Sequence, residues 1–508
     1  MNRAGRAISI LSCGALAAAC GVLVAEIDDA LAGAVVLLSA AGLATTLITR
    51  RRSSRERRRT AGEPLLVPTP PWWLYPAWMI PLAGLPSLIL AYHIPGSVFR
   101  AEWNTPKYFG DDQLAMGIIV LVGFCAGALV ATLWWGREGH QAPRAGALSP
   151  AQILRLRLAV RVLFLVTLLG YAAQLIFAVT RGLEVTDVAA VFTGANPVGD
   201  VKREYLRPVA GVTTLTQFGP LVMAGLMLLR RLDPGFPSVR YIATLLVLGT
   251  FRSVLYAERL ALLELLVPLA VIALAFPRTD ALTRTRARKA ALAIAPLWLP
   301  IALLLVFGAF EYVRSWSSYY ADANPGTSYP GFVVDRLGAY YATASNNSAL
   351  LIEHDPRPSR VPYATGEWLW NLPLLERAVP YERVAGVDFP EAYESLLLRL
   401  GTPEFNNPGG ILLPVFDLGP LPGLLFWIAL GVGLTIAYRR FITLKASGLL
   451  IFPVLFIGCL EVGRLLHWTL GRAFPALAGA IVLGLWLDHA ERPQVLRSSS
   501  PAIRATEA

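Results

Sequence analysis

A carboxylate and a guanidinium lie close together at the end of a long apolar run. Glu311 and Arg314 are three residues apart in the segment Glu-Tyr-Val-Arg-Ser-Trp, which places both side chains on one face of a helix. Such a pair could contact an anionic substrate and accept a proton from it. A structural ion pair is the alternative interpretation.

Two arginines stand on a short turn between apolar runs. Arg252 precedes the turn and Arg259 ends it, and arginine is suited to bidentate contacts with phosphate. The alternative is pairing inside the protein, with Glu258 in the turn or with Glu264 one turn deeper. Glu264 interrupts an apolar run and therefore needs a partner.

Polar side chains recur at helical spacing further along the chain. Asp335 and Arg336 lead to Tyr340, Asn346 and Asn347, which together would give a helix a face of hydroxyl and amide groups beside aromatic rings. Sugars are bound by such groups, although a solvated helix in a loop has the same pattern.

The most unusual stretch of the chain contains Asn406, Asn407 and Asp417. It reads Glu-Phe-Asn-Asn-Pro-Gly-Gly, then Ile-Leu-Leu-Pro-Val-Phe-Asp-Leu-Gly. In the simplest interpretation Asn-Pro-Gly-Gly is a turn and Asp417 caps the next helix, whose first turn tolerates Pro420.

The sequence has no signature of a nucleotide-driven or metal-dependent enzyme. A DxD triplet, a Walker loop, HExxH and GxSxG are all absent, which disfavours an ATP-driven machine and an ordinary hydrolase. The 4 cysteines have no metal-ligand spacing. We therefore expect neither a metal site nor a cofactor.

The elements that position these residues must be membrane helices. Of the 508 residues, 55% are hydrophobic and only 16% are charged, so the chain is too apolar for ordinary soluble domains. Apolar runs long enough to cross a bilayer predict an all-α polytopic protein with about twelve spans. The predicted spans are Ala7–Ala25, Ala30–Ile48, Trp73–Ile94, Leu114–Trp135, Leu163–Thr180, Val212–Leu229, Tyr241–Tyr256, Leu260–Phe276, Ala290–Phe310, Leu421–Tyr438, Ala446–Gly463 and Leu470–Leu487.

Basic residues fall in alternate loops, which are held in the cytoplasm. Both termini are then cytoplasmic, and the net charge of +11 reflects topology and contact with anionic lipid, with no need for a nucleic-acid partner. The predicted organisation is spans one to nine in residues 1–310 with an outer loop at about 181–211, a helical extracytoplasmic cap at 311–418, spans ten to twelve in 419–490, and a cytoplasmic tail at 491–508. Within the cap, helices are expected at Phe332–Leu351, Glu367–Arg377 and Glu391–Leu400.

This combination resembles the bacterial oligosaccharide repeat-unit polymerases, the O-antigen polymerase (Wzy-type) family. The shared architecture is many spans, enlarged outer loops and an arginine-bearing hairpin before an apolar helix. The motifs that carry the resemblance are Glu311 to Trp316, Asp335-Arg336 with Tyr340-Tyr341 and Asn346-Asn347, and Asn406 to Gly410 followed by Pro414 and Asp417 to Gly419.

The resemblance implies glycosyl transfer at the outer leaflet of the bacterial cytoplasmic membrane. A glycan on a polyprenyl diphosphate, such as undecaprenyl diphosphate, would move to a newly flipped repeat unit and build a cell-envelope polysaccharide without metal, nucleotide or cofactor. Arg314 would contact the diphosphate, supported by Arg252, Arg259 or Arg336, and Glu311 or Asp417 would be the base. The glycan-binding residues would be Asp335, Tyr340, Asn346, Asn347, Asn406 and Asn407.

Membrane lipids, a chain-length regulator and a flippase are the partners that the resemblance implies. Two other functions remain open at this point. A ligase that transfers finished glycan would share the outer arginines and the large loop. A flippase for lipid-linked oligosaccharides would instead have internal repeats and short outer loops.

Overall fold

The computed structural model describes residues 68, 70–137, 148–184, 186–187, 201, 204–206, 209, 211–256, 258–276, 291–323 and 326–490. The first two predicted spans, most of the 181–211 loop and the tail at 491–508 lie outside the described residues. The Arg314 side chain also lies outside them, although its backbone is described.

Every regular element in the described ranges is helical, which confirms the predicted all-α class, and an isolated bridge joins Gly409 to Leu465. Each predicted span from the third onward coincides with a helix or with consecutive helical segments. The helices before the cap are α1 (Pro76–His93), α2 (Gly96–Trp103), α3 (Asp111–Arg137), α4 (Pro150–Thr180), α5 (Gly219–Leu232), α6 (Ser238–Leu255), α7 (Arg259–Ala275) and α8 (Ala295–Glu311).

The cap contains helices where the sequence predicts them. Short 3-10 turns at Ala364–Gly366 and Pro403–Phe405 separate some of them. The cap helices are α9 (Tyr329–Glu353), α10 (Glu367–Trp370), α11 (Pro373–Ala378), α12 (Tyr381–Ala385), α13 (Phe389–Leu400) and α14 (Leu413–Leu418). The chain then continues as α15 (Pro420–Ile442), α16 (Ala446–Glu461) and α17 (Phe474–His489).

Several helices are long and apolar enough to cross a membrane, so the described part is that of a multi-pass membrane protein. By length and composition 3 helices qualify, α3, α4 and α15, or 4 if α1 and α2, which meet at a 95° bend, form one broken span. α16 and α17 are apolar but shorter. Helix length alone therefore does not show the predicted twelve spans. Most of the other predicted spans form shorter helices, or are interrupted by 3-10 turns.

Glycines bring α3 and α15 into backbone contact. A Cβ atom on Gly127 would collide with the carbonyl oxygen of Ile428, and one on Gly431 would collide with the carbonyl oxygen of Phe124. Small residues permit this close approach, which is how helices pack in lipid where apolar burial gives no driving force between them. Trp427, fully buried, packs its ring against Phe124 at the same contact.

α8 does not end where its apolar run ends. It continues as a π-helical segment at Tyr312–Tyr320 and one last turn at Ala321–Ala323. α9 then starts at Tyr329, where the Ser328 side chain caps it and Pro330 occupies its first turn. The cap helix α9 packs against both α8 and α1, so the cap is joined directly to the apolar helices.

Candidate functional site

The last residue of α8 is a fully buried carboxylate. Glu311 has 0% of its side chain exposed, and its Oε2 atom accepts hydrogen bonds from Arg336 Nε at 2.8 Å and Ser315 Oγ at 3.0 Å. Its Oε1 atom lies 3.1 Å from Nη1 of Arg259. Three elements far apart in the chain, α7, α8 and α9, therefore meet at one carboxylate.

Arg336 connects this carboxylate to a second one. Its Nη2 atom lies 2.7 Å from Oε1 of Glu404, and its Nη1 atom donates to the Tyr320 hydroxyl at 3.3 Å. That hydroxyl donates in turn to Glu404 Oε1 at 2.8 Å. We call Glu311, Arg259, Arg336, Ser315, Glu404 and Tyr320 the Glu311 cluster.

Aromatic rings enclose the guanidinium of Arg336. Its Cζ atom is 5.0 Å from the ring centroid of Tyr320, 5.2 Å from that of Phe405, 5.6 Å from that of Phe332 and 5.8 Å from that of Tyr340. These distances are within the range of cation-π attraction. Burial lowers the pKa of Arg336, but Tyr340 and the two carboxylates outweigh burial and keep the pKa above its usual value, so the group stays charged.

Arg259 and Tyr340 form the other wall of the cluster. The Arg259 guanidinium lies 4.1 Å from the ring centroid of Phe307 and 5.0 Å from that of Tyr340. Tyr340 is buried, and its hydroxyl has no hydrogen-bond partner among the described residues. A buried hydroxyl without a partner is uncommon in folded proteins, and this one lies beside the arginines predicted to bind substrate.

A second ionic group surrounds Glu264, which lies on α7 inside an apolar run. Its carboxylate is 3.2 Å from His467 Nε2 and 3.0 Å from Arg472 Nη2. Arg472 also reaches Glu258 at 3.4 Å, and Arg252 lies 3.9 Å from the same Glu258 oxygen. Glu264 does have the partner that its position requires, but the partners come from the loop before α17 rather than from the adjacent hairpin.

A third ion pair lies at the end of α16. Arg464 is 2.7 Å from Glu461, three residues before it at the end of α16. Burial and Glu461 raise the pKa of Tyr341 to about 12, opposed by Arg464 and Arg259. Tyr341 therefore lies within electrostatic range of both the Arg464 pair and the Glu311 cluster.

Asp417 lies apart from these groups, and it does not cap α15. The residue before α15 is Gly419, with φ 93°. Asp417 is fully buried, and its carboxylate accepts hydrogen bonds from Arg357 Nη1 at 2.6 Å, Tyr363 N at 2.9 Å, Thr365 N at 2.7 Å and Thr365 Oγ1 at 2.5 Å. Each carboxylate oxygen accepts two hydrogen bonds, and these four bonds hold residues 357–365 against α14.

Arg357 was not found from the sequence. It lies between two prolines, where no helical spacing indicates its partners, and it bonds both Asp417 and Asp355, the latter at 2.9 and 3.0 Å. Burial lowers the pKa of Arg357, and the two aspartates raise it above the usual value. We call Asp355, Arg357, Tyr363, Thr365 and Asp417 the Asp417 clamp.

The asparagines of α9 hold neighbouring loops. Asn346 donates to Pro106 O at 2.9 Å, and its Oδ1 atom accepts from the backbone of Tyr108 and Phe109 at 2.7 and 3.1 Å. Asn347 donates to the carbonyls of Phe405 and Asn407 at 2.6 and 3.0 Å. Their amides are thus used in fixing the backbone next to the Glu311 cluster.

The structure brings together some of the predicted site residues and separates others. Arg259, Arg336, Glu311 and Tyr340 meet, whereas Arg252 belongs to the group around Glu264. Asp335 and Asn406 are exposed, Asn407 is half-buried, and Asp417 is in its own clamp. Tyr320 was missed, although it lies one turn beyond the Glu311 motif in a Tyr-Tyr pair that could have indicated it.

Among the residues that the structure describes, no three His, Cys, Asp or Glu side chains form a group that could hold a metal ion. The expectation of metal-independent chemistry stays a prediction. No protein-family model, no curated protein and no solved structure matches this chain.

Proposed function

We propose that this chain polymerises polyprenyl-diphosphate-linked oligosaccharide repeat units by glycosyl transfer at the outer leaflet of the bacterial cytoplasmic membrane. One observation carries the proposal: Arg259 and Arg336 converge on the buried Glu311 where apolar helices meet a folded cap. Buried charges at the margin of membrane helices are by default candidates for a functional site.

The proposal includes twelve spans, cytoplasmic termini and a site that faces outward. The position of basic residues supports this orientation. Arg259 begins α7, and at the other end of that helix, about 25 Å away at 1.5 Å per residue, Phe276 packs on Phe441 with ring centroids 5.1 Å apart. Arg439 and Arg440 are next to Phe441, as expected for the cytoplasmic side.

The proposed reaction needs positive charge at the leaving group. The acceptor hydroxyl oxygen forms a bond to the anomeric carbon of the donor, and the bond from that carbon to the diphosphate breaks. The electron pair leaves with the polyprenyl diphosphate, and the hydroxyl proton passes to a base. Arg259 and Arg336, with Arg314, would stabilise the departing diphosphate, because fixed positive groups in a site of low polarity act strongly on developing charge.

Glu311 fits the role of orienting the arginines better than that of the base. One of its oxygens accepts hydrogen bonds from Arg336 and Ser315, and the other lies 3.1 Å from Arg259 in an ion pair. Protonation of Glu311 would remove the negative charge that these two guanidinium groups face, whereas holding them in place requires no change. A carboxylate that aims cationic groups at a substrate is a common form of preorganisation.

The test is deletion of the gene in its native host, followed by complementation. The surface glycan is then compared by gel electrophoresis for the parent, the deletion, and strains that carry Arg336→Ala or Arg259→Ala. We expect both variants to leave single repeat units in place of long chains. Arg383→Ala is the control, because Arg383 is an exposed arginine of the cap and its loss should preserve chain length.

The same gels distinguish the alternative functions. Full-length polymer that fails to reach its final acceptor would indicate a ligase. Absence of any outward-facing repeat unit would indicate a flippase. Normal chain length in both arginine variants would contradict the proposal.

A further inference from the structure

Two hydrogen-bond donors of the Glu311 cluster converge on one oxygen atom of Glu404. Arg336 Nη2 lies 2.7 Å from Glu404 Oε1, and the Tyr320 hydroxyl donates to the same oxygen at 2.8 Å. A charged donor and a neutral donor thus meet at a single anionic oxygen. A phosphate oxygen is bound by the same arrangement of donors.

The two carboxylates that contact Arg336 differ in how firmly they are held. Glu311 is 0% exposed, at the end of a long helix, and three side chains contact it. Glu404 is 41% exposed and lies in the three-residue 3-10 turn Pro403–Phe405. Glu404 is therefore the member that can leave without breaking a helix or exposing a buried charge.

The remaining donors stay in place if Glu404 leaves. Arg336 is fixed by its bond to Glu311 and by the surrounding aromatic rings. Arg336 Nη1 also bonds the Tyr320 hydroxyl, which fixes the position of its oxygen. Burial is the largest cause that raises the pKa of Tyr320 above its usual value, and it does not depend on Glu404, so this hydroxyl keeps its proton and remains a donor at neutral pH.

Departure of Glu404 also changes the charge of the cluster. In the structure the two guanidinium groups of Arg259 and Arg336 face the two carboxylates of Glu311 and Glu404. Without Glu404 the same described side chains present two positive groups against one negative group. The site then attracts an anion at the place where the two donors point.

We propose that Arg336 Nη2 and the Tyr320 hydroxyl form a binding site for a phosphate or diphosphate oxygen, and that Glu404 is an internal anion which occupies this site until the ligand displaces it. The Glu404 Oε1 atom stands in for a phosphate oxygen. The assignment of the ligand to a lipid-linked diphosphate rests on the proposed function, whereas the anion site itself does not.

The experiment measures binding of inorganic pyrophosphate to the purified full-length chain in detergent micelles by calorimetry. Glu404→Gln removes the competing charge, and we expect it to bind pyrophosphate about tenfold more tightly than the parent, as for release of one close charge pair. Glu376→Gln is the matched control, because Glu376 is an exposed carboxylate of the same cap and its loss makes the same change in net charge.

A second variant keeps the test valid if Glu404→Gln is unstable. Tyr320→Phe removes one donor and leaves both carboxylates, and we expect it to weaken pyrophosphate binding several-fold in the parent background. Thermal unfolding in the same detergent shows which variants are folded. Equal affinity of the parent, Glu404→Gln and Tyr320→Phe for pyrophosphate, and likewise for farnesyl diphosphate, would overturn the proposal.

A parallel titration with farnesyl diphosphate separates the two sources of the anion. If Glu404→Gln binds both ligands more tightly than the parent, the site recognises the phosphate group alone. If it binds only farnesyl diphosphate more tightly, a lipid-linked ligand is supported. If Glu404→Gln binds pyrophosphate more tightly but Arg336→Ala still makes long glycan, the anion site is supported and the proposed function is refuted. If Arg336→Ala makes short glycan but Glu404→Gln does not change binding, the proposed function is supported and the anion site is refuted.

Discussion

Replacing Asp417 by asparagine tests whether this carboxylate holds the cap together or accepts a proton. The side chain is fully buried and accepts bonds from Arg357, Thr365 and the Tyr363 amide. An asparagine keeps one oxygen but turns an NH2 group toward donors on its other side. With the remaining oxygen at the position of Oδ1, the Thr365 amide loses its acceptor and Arg357 bonds a neutral oxygen in place of a carboxylate, so we expect opening of the cap to become about 3 kcal/mol easier.

Native-state proteolysis of the purified chain in detergent micelles measures this change. When opening is fast relative to cleavage, the cleavage rate follows the population of the open form. A difference of about 3 kcal/mol then corresponds to about a hundredfold faster cleavage within residues 354–418, since about 1.4 kcal/mol is tenfold. Asp335→Asn is the control, because Asp335 is an exposed carboxylate on α9 and its cleavage rate should match that of the parent.

The outcome that refutes this reasoning is specific. If Asp417→Asn is cleaved at the parental rate and no longer supports long glycan chains in the complemented strain, Asp417 is not primarily a structural clamp. A role as base would then be favoured, as the sequence resemblance implies. Faster cleavage together with short glycan would instead attribute the lost activity to the loosened cap.

Two further perturbations test the electrostatics and the packing. Burial raises the pKa of Glu367 above its usual value of 4.5, opposed by the Gly471 amide and Arg472. The protonated Glu367 carboxyl therefore contributes fully to folding stability below about pH 4.5. This contribution is lost as the pH rises through the raised pKa and the group becomes charged. Glu367→Gln should unfold a few degrees higher than the parent at pH 7, and the gain should vanish at pH 4; no gain at pH 7 would contradict this sign. Gly431→Val should destabilise the chain by about 3 kcal/mol, measured by thermal unfolding in detergent, because its side chain meets the backbone of α3. Gly433→Val on the same helix, where an added Cβ meets nothing within 4 Å, is the control, and equal unfolding temperatures for the two variants would contradict the packing argument.

Much of the helical layout could be predicted because its signals are local. Apolar runs, prolines at helix starts and glycines at helix ends are read within one or two turns. The predicted cap helix Phe332–Leu351 lies inside the observed Tyr329–Glu353, and the predicted Glu391–Leu400 lies inside Phe389–Leu400. The same signals do not determine the count of spans, since interruptions and bends decide whether an apolar run crosses as one helix.

The partners of charged residues could not be predicted, because pairing depends on which helices meet. Spacing along the chain paired Glu311 with Arg314, whose side chain lies outside the described residues, and it did not indicate Arg259 on α7 or Arg336 on α9, which contact Glu311. Residues three apart share a face in an α-helix, whereas the chain after Glu311 has π-helical geometry, with a different angular step between residues. Arg357 lies outside any helical pattern in the sequence, so its role in the Asp417 clamp is recognised only from its contacts in the structure.

The backbone contact between α3 and α15 has a consequence for how the protein is made. Gly127 is synthesised about 300 residues before Gly431, so α3 enters the membrane long before the helix that fills its glycine groove. During that interval the groove faces lipid or another early helix, and any provisional neighbour must be exchanged when α15 arrives. Final closure of the helix bundle is therefore a late event in biogenesis, and it follows the synthesis of the entire cap that stands between the two helices in the chain.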